Sequence, residues 1–203
     1  MSTKTEIRAK TRSAKRDEVR RELAEYAITA LAEIGYANLA MRDIALSSGV
    51  SLGKLQYYFE DKEDLLLFCI DIHVERFIAG LSGALEVELS PEAARAAYIE
   101  ALTQSVIDNS RIHRLWYDIR NQALFDAILH DKVEGIEASY IEICEELAAK
   151  FGMPRNSGLS LYLAMDSVYR YCIQRLAYGR KMEPDQIRHL AQSALERRKE
   201  PLE

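Results

Sequence analysis

MRDIALSSGVSLGKLQYYF, Met41 to Phe59, carries two apolar spacings, each too short to stand alone. Met41-Arg-Asp-Ile-Ala-Leu predicts one short helix, stopped by Ser47-Ser48-Gly49. Ser51 predicts the N-cap of a second, its hydroxyl placed to accept a free backbone N–H. Helices shorter than about 12–15 residues are marginal in water, so these two must be held by each other and by neighbours. Ile44, Ala45, Val50, Leu55 and Phe59 are spaced to build one small core between them. Ala45 lets the helices cross closely, and Gly49 supplies the positive φ that the turn needs. With Leu55 and Phe59 turned inward, Leu52, Gly53, Lys54, Gln56 and Tyr57 turn outward. The pattern is a helix-turn-helix, and a braced polar helix of this kind fits the major groove of DNA.

The flanking sequence suits that reading. Residues 1–62 carry 11 Lys/Arg against 9 Asp/Glu, whereas residues 63–203 carry 16 against 23. Lys4, Arg8, Lys10, Arg12, Lys15 and Arg16 form a basic arm opposed only by Glu6. A basic module ahead of an acidic remainder suits a polyanion at one end of the chain. Cys69, Cys144 and Cys172 are odd in number and form no CxxC, which predicts free thiols in a reducing compartment. No apolar run reaches the roughly 18 residues of a membrane span, and the basic N-terminus has no signal-peptide core. The expectation is a cytoplasmic protein with no membrane partner.

Nearly all of the chain predicts helix, because apolar residues recur at three and four and only four prolines occur. Ile7 to Ile34 is one pattern, closed by Gly35 as a left-handed cap. Asp61 and Asp64 predict the start of a long helix reaching about Leu85. Ser90-Pro91-Glu92 opens another, to about Asn109. Further helices are expected over 112–126, 128–151, 159–178 and 184–200. The fold class is all-α with about nine helices. A boundary is expected inside the long helix that begins at Lys62, dividing a three-helix helix-turn-helix domain over 1–62 from a second helical domain over 63–203.

Gly35 to Leu65 resembles the DNA-binding domain of the tetracycline-repressor (TetR) family of regulators. Gly35, Tyr36, Ile44, Ala45, Gly49, Val50, Ser51, Gly53, Leu55, Tyr57, Phe59, Lys62, Glu63 and Leu65 carry the likeness. The resemblance implies a homodimer that binds a double-stranded operator and releases it when a small-molecule effector enters the C-terminal domain. By position it implies that Arg42 touches phosphate or a base, that Lys54 and Gln56 read bases, and that Tyr57 and Tyr58 grip the backbone. Lys62 would meet phosphate at a helix start, while Leu52 and Gly53 belong to the outward surface. The chain departs from the family at Leu39-Ala40, where a Thr/Ser pair is usual, and Asn38 is the expected substitute cap. Lys54 and Gln56 also depart. Gln can pair with adenine and Lys can reach guanine, so an altered operator is expected.

In the second domain, Phe68, Tyr98, His113, Trp116, Tyr117, Phe125, Tyr140 and Tyr169 are the expected ligand-binding residues, since bundle pockets are lined by aromatics with polar tips. Phe77, with Phe68, lies on the helix leading from the first domain. The apolar helix over 159–178 predicts a dimer face at Leu159, Leu163, Asp166, Tyr169, Arg170 and Ile173. No catalytic site, metal or cofactor is expected: His73, His113, His130 and His189 are scattered, without HExxH, GxSxG or Walker spacing. The reading is a ligand-responsive regulator, a repressor in the first instance. The alternative is an all-α small-molecule binding or processing protein with a vestigial DNA-binding head.

Overall fold

The computed structural model describes residues 4–35, 38–85 and 89–196. Eight helices occur among them, and no strand. They are α1 (Lys4–Ile34), α2 (Met41–Ser47), α3 (Leu52–Tyr58), α4 (Lys62–Leu85), α5 (Pro91–Ala123), α6 (Ala127–Lys150), α7 (Gly158–Ala177) and α8 (Pro184–Glu196). Nine were expected because a break was read after Asn109. There the chain kinks, with φ −116° and ψ 18°, and then resumes as the same helix. Tyr36, the side chains of Lys4, Arg8, Lys10 and Arg12, and the expected helix end at Glu200 lie outside what is described.

The chain forms two compact units, Met1–His73 and Val74–Glu203. The first extends beyond the expected boundary at residue 62 because the opening turns of α4 pack with α1–α3. Leu65, Leu66, Cys69 and Ile70 are buried there, with the Cys69 thiol 3.7 Å from the Ala24 carbonyl oxygen. Its centre is built from Leu23, Ala27 and Leu31 of α1, Ile44 and Ala45 of α2, and Leu55 and Phe59 at α3.

In the second unit α7 packs against α5, α6 and α8, and α5 also packs against α6 and α8. Leu102, Ile119, Leu129, Leu147, Phe151 and Leu161 are fully buried among these helices. Helix α5 begins as its sequence dictates, with Ser90 Oγ accepting the Ala93 amide at 3.3 Å ahead of Pro91. Glu145 accepts hydrogen bonds from the amides of Asn156 and Gly158. It thereby caps the start of α7. A Cβ placed on Gly158 would lie 2.8 Å from the Glu145 nitrogen, so the α6–α7 crossing depends on a residue without one.

Candidate nucleic-acid interface and buried cavity

Helix α3 is anchored on one side and bare on the other. Leu55 and, at its C-cap, Phe59 are fully buried. Ser51 Oγ accepts the Lys54 amide at 3.1 Å, as its N-cap position predicts. The turn before it closes through the Val50 amide to the Ala45 carbonyl at 3.0 Å, with Gly49 at φ +66°. Arg42, Gly53, Lys54 and Gln56 are exposed, Tyr57 is 69% exposed, and Leu52, Tyr58 and Lys62 are half-buried. All eight residues expected at the DNA surface therefore keep some or all of their area accessible. The Tyr57 and Tyr58 rings meet edge to face at 5.1 Å, and the Arg16 guanidinium carbon lies 5.8 Å from the Tyr57 ring centre.

The supports are local. Asp61 accepts the Asp64 amide at 2.8 Å at the start of α4. Asp64 in turn accepts from the Glu60 amide and from Arg20 Nη2, at 3.0 and 2.9 Å. Arg20 lies over both Phe59 and Phe68, 4.7 and 4.4 Å from their ring centres. This corrects the expectation for Phe68, which stacks inside the first unit and takes no part in the cavity of the second. Asn38 also differs from expectation: its amide donates back to the Ile34 carbonyl. Helix α2 instead starts with Asp43 accepting the Ala40 amide at 2.9 Å.

In the second unit, α4, α5, α6 and α7 line a cavity of about 50 Å³, several times the space one water needs. Phe77 is its hub, with His113, Tyr140 and Tyr169 at ring-centre distances of 5.9, 5.2 and 5.7 Å. Trp116 meets Tyr140 edge to face at 6.0 Å. Tyr98, Tyr117, Tyr162 and Cys144 complete much of the wall. Of the eight expected ligand residues, Tyr98, His113, Trp116, Tyr117, Tyr140 and Tyr169 come together here. Phe125 does not, because it sits in the α5–α6 turn, 90% exposed.

Three residues expected at a dimer face are turned inward. Tyr169 and Ile173 are buried, and Asp166 lines the cavity. Asp166 Oδ1 accepts from Arg120 Nη1 at 2.7 Å and from the Tyr117 hydroxyl at 3.0 Å. Arg120 also pairs with Glu137 at 2.7 Å, and Glu137 accepts the Tyr162 hydroxyl at 3.1 Å. Asp166 was legible as a cavity residue in one respect: it stands four after Tyr162 and three before Tyr169, on one helical face. Leu159, Leu163 and Arg170 do lie on the exposed side of α7, joined by Tyr171 and Tyr178.

Electrostatically the cavity is quiet. Burial pushes the His113 imidazole down to about 4, against the pull of its contact with Ser105. The Ser105 hydroxyl meets His113 Nε2 at 2.9 Å across the α5 kink. Burial raises the Tyr140 and Tyr169 hydroxyls far above the usual phenol range, and the Tyr117 hydroxyl too, with Asp166 adding to it. All remain neutral. Burial opposes the Arg120 charge, yet Asp166, Tyr162 and Glu137 outweigh it. A larger, open groove of about 650 Å³ lies between α5 and α8, but its Arg188 is spent on Glu100 and Asp185.

Residues 23–68 match the family model for bacterial regulatory proteins of the tetR family. Over these residues the chain is similar to the DNA-binding part of TetR-family regulators. The match lies within the first compact unit and takes in α2, α3 and the start of α4. No curated protein matches the chain in sequence. Among solved structures, it is similar to a transcriptional regulator from Rhodococcus sp. Rha1 at a TM-score of 0.74 and 20% identity, over 88% of this chain and 94% of that one. A TetR transcription regulator from Haloarcula marismortui gives 0.72 and 20%, over 89% and 98%. A regulator from Saccharomonospora viridis, solved with choline, gives 0.75 and 18%, over 90% and 97%. At these identities the likeness shows the fold.

Proposed function

We propose that the protein represses transcription as a homodimer, its α3 helices reading a palindromic operator until a small molecule occupies the C-terminal cavity. The observation that carries the reading is α3 itself, a seven-residue helix fixed by Leu55 and Phe59 that leaves Lys54, Gln56 and Tyr57 outward. Gln56 and Lys54 supply base recognition, while Arg42, Tyr57, Tyr58 and Lys62 supply phosphate contacts. The exposed side of α7, with Leu159, Leu163, Tyr171 and Tyr178, together with α8, serves as the dimer face. The Saccharomonospora viridis regulator was solved with choline, which supports a small-molecule effector. The protein acts by binding and not by catalysis: the cavity's ionisable groups are neutral phenols, an uncharged imidazole and carboxylates already engaged. No described helix is long and apolar enough to cross a membrane, in keeping with a site of action in the cytoplasm.

Binding to duplex DNA over a salt series tests this reading. A dimer making 6–10 phosphate contacts should lose about 10³–10⁵ in affinity between roughly 50 and 200 mM salt. An operator should show half-sites about one helical turn apart, or a multiple of it. Absence of duplex binding at the lowest salt would defeat the reading.

A further inference from the structure

The chemistry lining the cavity selects among ligands. Phe77, Trp116, Tyr140 and Tyr169 put aromatic rings around one small space, and ring faces carry negative potential. The Tyr140 residue is only 7% exposed, yet its hydroxyl finds no hydrogen-bond partner among the described residues. The fixed charges nearby comprise two carboxylates, Asp166 and Glu137, held by one guanidinium, Arg120. Both bonds described to Asp166 fall on Oδ1, leaving Oδ2 outside them. Arg170 lies over Tyr117 at 5.4 Å but is exposed, so water screens its charge. His113 is uncharged at neutral pH and does not repel a cation.

An anionic ligand would need a free cation inside the cavity, and Arg120 is engaged by both carboxylates. A neutral apolar ligand would leave the surplus carboxylate as it is. We infer that the effector is a small organic monocation of the quaternary or tertiary ammonium class, caged by Phe77, Trp116, Tyr140 and Tyr169 and balanced by the Asp166–Glu137 pair. The cavity volume of about 50 Å³ restricts the caged group to a handful of heavy atoms. The inference rests on the effector-site reading above and narrows it to one ligand class.

Trp116 is the chain's single tryptophan, so its fluorescence reports on this cavity. The test titrates full-length protein with tetramethylammonium chloride and, separately, with tert-butanol, a neutral molecule of similar size. Calorimetry on the same samples supplies a second readout. Tetramethylammonium should bind at least ten-fold more tightly. Glu137→Gln, which removes one carboxylate charge without lining the cavity, should weaken tetramethylammonium several-fold and leave tert-butanol unchanged. Tyr140→Phe keeps a ring face and should preserve most cation binding, which checks that the effect of Glu137→Gln is one of charge. Equal or tighter binding of tert-butanol would overturn the inference, as would binding of neither. Insensitivity of the cation to Glu137→Gln would also overturn it. The regulator reading is decided separately, by the salt series on duplex DNA.

Discussion

The Ser51 hydroxyl holds the Lys54 amide at 3.1 Å, and that bond fixes where the exposed side of α3 begins. Ser51→Ala should cost about 1 kcal/mol of stability, within the range of roughly 0.5–2 for lost caps, measured by urea unfolding. Gln56→Ala should leave stability within about 0.5 kcal/mol. It should weaken operator binding by about 1–3 kcal/mol and relax preference at one base pair, measured by competition with variant operators. Unchanged affinity and preference would remove Gln56 from the reading set. His113 gives a pH signature. An unfolded histidine titrates near 6.5, while burial holds the folded one at about 4. Below about 6.5 the unfolded chain takes up a proton that the folded chain refuses. The associated stability, at most about 3 kcal/mol, is therefore present above that pH and lost as pH falls toward 4. His113→Gln should flatten the fall of Tm across that window. The outward set at α3 was legible because period and buried anchors fix which side is left over. Phe68 and Phe125 were not, because an aromatic at helical spacing declares burial without declaring which cavity, and Phe125 is not even buried.

At the scale of elements, the starts of α3, α4 and α5 could be read directly, since Ser51, Asp61 and Ser90 are each followed by the amide they cap. The kink at Asn109 could not. A polar Asn-Ser pair ends one apolar stripe in sequence, but Ser105 and His113 bridge the break and carry the helix through. The α6–α7 crossing was also hidden, because Glu145 acts across space on residues 156 and 158. Gly158→Ala would press its Cβ against Glu145 backbone atoms at 2.8 and 2.9 Å. The helices must then shift, and a loss of about 1–3 kcal/mol is expected in thermal unfolding. The head should keep its duplex affinity at temperatures where the variant is folded.

For the whole molecule, the division at residue 73 follows from where α4 buries its first turns, which depends on Ala24 and Phe59 far away in sequence. Leu163 is 51% exposed on α7 and belongs to the face assigned to dimerisation. Leu163→Glu should convert a dimer at micromolar concentration into monomer by sedimentation, and operator affinity should fall with it. A wild-type monomer at that concentration would rule out the dimer. One more property follows from packing already described. Cys69, Cys144 and Cys172 are all buried, and burial pushes the Cys144 and Cys172 thiols up to about 12 and 11 and Cys69 further still. The native chain is therefore nearly silent to thiol reagents at neutral pH. A cysteine placed at the 84% exposed position of Leu46 would be its one reactive handle. Paired spin labels there would turn a dimer into its own ruler, reporting the distance between heads with and without DNA and with each candidate ligand.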